Sequence, residues 1–145
     1  MERRTTVPRD IVFKSPLLVY KIVSETAHRY GKLILKYLLN KTSIDKIFVQ
    51  KECYESFSEL TTDEDCDKIT IFSPECDVDL CIIVGGDGTV LWCNSIFDSS
   101  RPRPRFLTFN LGTLGYMTYY NCDMYKDVLD ELLENKDKSI CYEKR

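Results

Sequence analysis

Five of the six glycines in this 145-residue chain stand in two short segments, Gly85, Gly86 and Gly88 in one and Gly112 and Gly115 in the other. Each segment directly follows an apolar run, Leu80-Cys81-Ile82-Ile83-Val84 before the first and Phe106-Leu107-Thr108-Phe109 before the second. Runs of that length without polar alternation are the pattern of strands covered on both faces. After Gly88 a helical spacing sets in, with Val90, Leu91, Ser95 and Ile96 as the expected inner face. A strand, a glycine turn and a helix in succession point to an α/β sheet of parallel strands. Both turns then fall at carboxyl ends of strands, the edge on which open sheets of this kind hold ligands.

The remainder of the chain agrees with such a sheet. Residues 1–14 are polar, and with Pro8 and Pro16 they read as an extended arm before a domain over 15–145. Leu17 to Ile22 reads as the first strand, Ser24 as the cap of a helix with Ala27, Tyr30, Ile34, Tyr37 and Leu38 on one stripe, and Asn40 as its end. Ile47-Phe48-Val49 reads as a second strand, parallel to the first because a helix separates them. The run Glu-Leu-Thr-Thr-Asp-Glu-Asp-Cys-Asp marks 51–68 as an acidic surface insertion, and without a turn glycine it matches no calcium loop. Ile69 to Phe72 is a short strand or an extended cover. Asp123 is placed to cap a last helix burying Val128, Leu129, Leu132 and Leu133, with a terminal strand at Ile140-Cys141-Tyr142. The fold class expected is α/β, an open, mostly parallel Rossmann-like sheet with helices on both faces.

Composition excludes several functions. With 43% apolar and 30% charged residues this is the make-up of one globular domain. No apolar stretch approaches the roughly 20 residues of a bilayer span, and the opening lacks the apolar core of a signal peptide, so a cytoplasmic protein without a membrane partner is expected. The net charge of −3 hides eleven Lys/Arg against four Asp/Glu in residues 1–51 and one against ten in residues 52–79. The basic third carries no aromatic-basic motif, so nucleic acid is not an expected partner. Seven cysteines without a C-x-x-C pair, and a single histidine, His28, give no zinc spacing; the thiols are expected to be reduced and packed in the core, and His28 has no assigned role.

The first glycine turn, Gly85-Gly86-Asp87-Gly88-Thr89, contains a problem in electrostatics. Main-chain N–H groups of Gly86, Gly88 and Thr89 at the start of a helix suit a phosphate. A carboxylate about 4 Å from a phosphate oxygen is repelled by about 4 kcal/mol at an effective dielectric near 20. Asp87 therefore needs another task, either holding a divalent metal that bridges phosphates or taking a proton from a hydroxyl that attacks one. Both tasks belong to phosphoryl transfer. The segment is neither a Walker A loop nor the G-x-G-x-x-G dinucleotide fingerprint.

The Gly-Gly-Asp-Gly-Thr turn resembles that of a kinase superfamily of NAD kinases, diacylglycerol and sphingosine kinases and phosphofructokinases. The second turn, Phe109-Asn110-Leu111-Gly112-Thr113-Leu114-Gly115-Tyr116-Met117-Thr118, resembles the Asn-Leu-Gly-x-Leu-Gly-Phe-Leu-Thr segment of NAD kinases, at similar spacing. Ser15 to Lys21 is similar to the opening strand of eukaryotic members. The resemblance implies ATP-dependent phosphorylation of the adenosine 2′-hydroxyl of NAD, with Mg²⁺; no residue of the chain is assigned as a metal ligand. Asp87 would be the proton acceptor, Gly86, Gly88, Thr89 and Leu91 would line the nucleotide site, Asn110 and Gly112 would contact it from the second turn, and Tyr116 would stand beside the adenine. It also implies a second, β-rich domain that this sequence lacks, so the 145 residues alone are expected to be inactive, and a homo-oligomer is left open for a full-length form. A silent nucleotide-binding or regulatory module, or a lipid or sugar kinase with the same turn, are the other readings.

Overall fold

The structure is a computed structural model that describes residues 2–4, 12–58, 67–97, 100, 102–112, 120–134 and 142–144. In chain order the elements are β1 (Glu2–Arg4), β2 (Pro16–Tyr20), α1 (Glu25–Leu39), β3 (Ile47–Val49), α2 (Lys51–Ser58), β4 (Ile69–Ile71), β5 (Leu80–Val84), α3 (Asp87–Ser95), β6 (Arg105–Asn110), β7 (Tyr120–Asn121), α4 (Tyr125–Leu133) and β8 (Tyr142–Lys144). A single 3₁₀ turn, Cys122–Met124, leads into α4. Among the described residues no helix is long and apolar enough to cross a membrane.

Strands β2 to β7 are mutually parallel, and β8 joins β6 antiparallel with β1 outside it, in the order β1-β8-β6-β5-β2-β3-β4, with β7 also on β6. The chain winds outward from β2 to β3 and β4 in one direction and from β5 to β6 in the other. The change of direction lies between β2 and β5, which pair from Pro16↔Leu80 to Tyr20↔Val84. That is the topological switch point, where connections leave toward opposite sides and a crevice opens.

Alternation along β2 and β5 divides the core into two layers. Leu18, Tyr20, Leu80, Ile82 and Val84 face one side with Leu107 and Phe109, under α1, α2 and α4; Leu17, Val19, Cys81 and Ile83 face the other with Phe106, under Val90 and Cys93 of α3. Every residue of β2 and β5 is buried, which is why these strands read as continuous apolar runs. Burying each such side chain contributes about 1.5–3 kcal/mol.

Local rules account for most boundaries. Ser24 caps α1, its hydroxyl accepting from the Ala27 N–H at 3.1 Å, and Asn40 closes it. Ala27, Ile34 and Leu38 are buried along the expected stripe, Tyr30 and Tyr37 pack partly against it, and Tyr37 donates to the Asp130 carboxylate of α4. Asp79 ties the chain at the start of β2, accepting from the N–H groups of Lys14 at 2.6 Å and Ser15 at 3.2 Å. Burial pushes its carboxyl above the usual carboxylate range despite these donors. His28 is taken up by packing, its Nδ1 2.8 Å from the Tyr20 hydroxyl. The five described cysteines are free thiols, and Cys53, Cys81, Cys93 and Cys122 are buried.

Four expectations need correction. Residues 51–58 of the expected surface insertion form α2, which buries Cys53 and Phe57 against the sheet; residues 59–66, most of the acid run, lie outside the described residues. The physical reason is the four-residue spacing of Cys53 and Phe57, which makes one helical face apolar. On α3 the inner face is Val90 and Cys93, while Leu91 and Ser95 are exposed, because one residue turns a helix by about 100° and the helix starts at Asp87. The last helix is entered through the 3₁₀ turn capped by the Asn121 side chain, which accepts from the Asp123 N–H at 3.3 Å, so Asp123 is the capped residue and not the cap. The expected arm contains β1, and the terminal strand begins at Tyr142, with Ile140 and Cys141 outside the described residues.

Candidate active site

The two glycine turns meet on one edge. β5 and β6 are parallel neighbours in register from Leu80↔Arg105 to Val84↔Phe109, so Gly85 and Asn110 leave the sheet side by side. The first turn is suspended from both neighbours: the Gly85 N–H donates to the Phe109 carbonyl at 3.0 Å, and the Lys21 N–H donates to the Val84 carbonyl at 3.0 Å.

The glycines of the first turn serve different purposes, and none of them has a positive φ. A Cβ on Gly85 would lie 2.6 Å from Thr89 Oγ1, so Gly85 is required by the packing of Thr89 across the turn. Gly86 and Gly88 are exposed, and no atom lies within 4 Å of the place a Cβ would take on either. The space above them is open to a ligand. Gly86 is the N-cap of α3 and Gly88 lies in its first turn, where N–H groups lack an intrahelical acceptor. The Thr89 N–H, expected as a phosphate donor, is instead spent on the Gly86 carbonyl at 3.1 Å. Asp87 is the first residue of α3 and is half-buried, so its carboxylate sits in the positive end of the helix field.

The second turn uses glycine for its backbone. Gly112 has φ +121°, a conformation open almost only to glycine. Asn110, at the end of β6, is buried, and its Oδ1 accepts from the Gly112 N–H at 3.1 Å. Its Nδ2 is buried with no partner among the described residues. Gly115 and Tyr116 lie outside the described residues. These environments give opposite signs for the same substitution. Gly112→Ala is expected to destabilise by about 1–3 kcal/mol through strain. Gly88→Ala, in a helix with open space above it, is expected to stabilise by about 0.5–1 kcal/mol. Urea unfolding midpoints of the two variants check both signs.

A crevice of about 470 Å³ opens at the switch point, beside the first turn. Gly86, Gly88, Thr89 and Lys21 border it on the side of the turn, with Trp92 of α3 and Gln50 and Glu52 at the start of α2. Sequence reasoning placed none of Lys21, Gln50, Glu52 or Trp92 in a site. The signal was available for Lys21 and Gln50, which directly follow the first two parallel strands. Leu91, expected in the lining, is 51% exposed and does not border the crevice; Trp92, the next residue, does. Burial pushes the pKa of the Tyr20 phenol in the crevice wall up, so it stays protonated at neutral pH and is not there to take a proton. Among the described residues, Glu52 borders the crevice and Asp87 stands at the start of α3 after the first turn.

A doubly wound parallel sheet with a glycine-framed carboxylate beside its switch point places the chain among the α/β domains that bind ligands along the carboxyl edge of the sheet. The ATP-NAD kinase N-terminal domain family matches residues 17–137, and the chain belongs to that family. It is similar to a protein of Oryza sativa subsp. japonica provisionally named NAD kinase 3, with 32% identity over 126 residues, 81% of this chain and 24% of that protein. It is also similar to the mitochondrial NADH kinase of Saccharomyces cerevisiae, with 31% identity over 103 residues, 65% of this chain and 25% of that protein. A crystal structure of yeast NADH kinase complexed with NADH has the same fold, with a TM-score of 0.73 at 23% identity, covering 88% of this chain and 40% of that one. The chain thus spans about a quarter of the length of these two sequence relatives.

Proposed function

We propose that this chain is the base-bearing part of an NAD kinase, which transfers the γ-phosphoryl group of ATP to the adenosine 2′-hydroxyl of NAD. The observation that carries the reading is the placement of Asp87 at a helix start, between open main-chain N–H groups and a neighbouring strand turn, on the ligand edge of the sheet. As the 2′-oxygen forms its bond to the γ-phosphorus, the Asp87 carboxylate takes the hydroxyl proton. The bond from the γ-phosphorus to the bridging oxygen breaks, and ADP leaves with the electron pair. Gly86 and Gly88 supply N–H groups and clearance. Thr89 keeps the turn closed through Gly85. Asn110 shapes the second turn through Gly112 and keeps a buried donor, Nδ2, for an acceptor atom. Leu91 and Tyr116 are assigned to the acceptor nucleotide. The other family name among the relatives, NADH kinase, makes NADH the competing acceptor.

Mg²⁺ fits this site as a passenger of the triphosphate, since it is commonly held by one or two carboxylates together with phosphate oxygens and waters. Asp87, at the start of α3, is the carboxylate that would contact it, and the described residues hold no group of three or more ligating side chains. The ion would neutralise phosphate charge during transfer.

A second reading is a nucleotide-binding module without turnover, in which the hydroxyl is bound but not held in attack geometry, an effect worth about 7–11 kcal/mol. The test compares the 145-residue chain with the same chain joined to the rest of the rice relative. NADP formation from ATP and NAD is expected in the joined protein and not in the chain alone. No NADP from the folded joined protein would overturn the kinase reading, and calorimetric binding of NAD to the chain alone would then support the silent module.

A further inference from the structure

Two buried thiols have no task in the reaction above. Cys81 stands on β5 and Cys93 on α3, twelve positions apart in the chain, and their Sγ atoms are 2.9 Å apart. Both are fully buried, among Leu17, Val19, Ile83, Val90 and Phe106. Buried carbon atoms usually meet at about 3.5–4.0 Å, so the two sulfurs are close even for a packed core. A disulfide bond is about 2.05 Å long, so bonding these sulfurs at 2.9 Å asks each to move about 0.4 Å. Other thiols have other neighbours: Cys53 lies 3.7 Å from Gln50 Oε1, and Cys76 lies 3.3 Å from the Ser73 hydroxyl.

Burial makes a thiol inert, and here it pushes the Cys81 thiol well above its ordinary pKa, with the Cys93 hydrogen bond adding to the effect. The pair can therefore react only when its cover opens. The two sides of that cover are unequal. β5 has a parallel partner on each side. α3 has nine residues with Gly88 in its first turn, buries Val90 and Cys93, and leaves Leu91, Trp92 and Ser95 at the surface. A short helix with a glycine and few buried contacts opens at lower cost than a central strand. We propose that Cys81 and Cys93 are a redox modification site, closing to a reversible disulfide when opening of α3 admits a small-molecule disulfide such as oxidised glutathione. The Cys93 thiolate attacks one sulfur of the oxidant, whose S–S bond breaks and whose other half leaves as a thiolate. The Cys81 sulfur then attacks Cys93 Sγ, forming the bond between β5 and α3 and expelling the second half. The protein thiols lose two electrons to the oxidant, and their two protons pass to the released thiolates. A thiol reductant runs the same steps backward. Asp87 lies between the two cysteines, so the oxidised form encloses its segment in a covalent loop and suppresses the opening of α3. No nucleotide is needed, so this site is independent of the kinase reading.

The 145-residue chain is held in glutathione buffers of rising oxidised fraction, its remaining thiols are alkylated, and it is cleaved before aspartates without reduction. That cleavage puts Cys76, Cys81 and Cys93 in three peptides, 67–76, 79–86 and 87–97. A cross-link between 79–86 and 87–97 is expected, and a dithiol is expected to remove it. Hydrogen exchange across 87–95 is expected to slow about 10-fold or more on oxidation of the wild type, and to be unaffected in Cys93→Ser. Cys81→Ala is the second control, because a serine hydroxyl is costly in an apolar layer. Gly88→Ala, which favours the closed helix, is expected to slow cross-linking about 2- to 5-fold. No such cross-link in a chain that keeps its native circular dichroism would overturn the proposal. So would a cross-link that forms only in denaturant, a bridge from Cys76 to either thiol in preference, or a rate unchanged by Gly88→Ala.

Discussion

Asp87→Asn, placed in the chain joined to the rest of a relative, is expected to lower NADP formation by about 10²–10⁴-fold, the range for removing a general base. The amide keeps the shape of the side chain but takes no proton, so the loss should fall on kcat more than on KM. Removing a charge from the first turn of α3 also costs the fold something, because the carboxylate is favoured by the helix field, by about 0.3–1 kcal/mol. That cost is too small to unfold the domain at 25 °C, so initial rates together with a urea midpoint separate the two effects. If turnover changed less than threefold while stability fell, Asp87 would be a helix-start residue and nothing more.

Phe109→Ala is expected to be the most damaging single change to the fold, at about 3–5 kcal/mol. Its ring is fully buried on β6 and packs against Tyr120, with centroids 6.3 Å apart. Its carbonyl accepts the Gly85 N–H, and the next residue is Asn110. A cavity here would therefore loosen both turns as well as the core. With total stabilities of about 5–15 kcal/mol for a domain, the variant should lose up to most of its margin. Thermal and urea unfolding check this, and a loss below 1 kcal/mol would mean that the region refills the space.

The parts of the fold legible in the sequence were those where one local rule decides. Ser24 and Asn40 bracket α1 because capping chemistry is read from a single residue, and β2, β5 and β6 stood out because strands buried on both faces have no polar alternation. The acid-rich stretch drew attention away from Cys53 and Phe57, which fix α2. Asn121 and Asp123 offer the same capping chemistry, and only the backbone of the 3₁₀ turn decides between them. The glycine turns of the site were visible as composition. Their purposes were not: the near-contact of Gly85 with Thr89 and the positive φ of Gly112 are properties of folded backbone. The crevice residues were hidden for a further reason. Lys21, Gln50 and Trp92 come from three separate elements, and what unites them is the reversal of winding between β2 and β5.

The strand that leads to Asp87 has a parallel partner on each side and a layer of side chains over each face. Amides in such a strand exchange with solvent only when most of the molecule opens, whereas loops open at far smaller cost. The root of Asp87, the proposed proton acceptor, is thus held still by the least yielding part of the domain. A change in what the crevice accepts would then fall to its walls on α2 and α3, leaving the central strand unchanged.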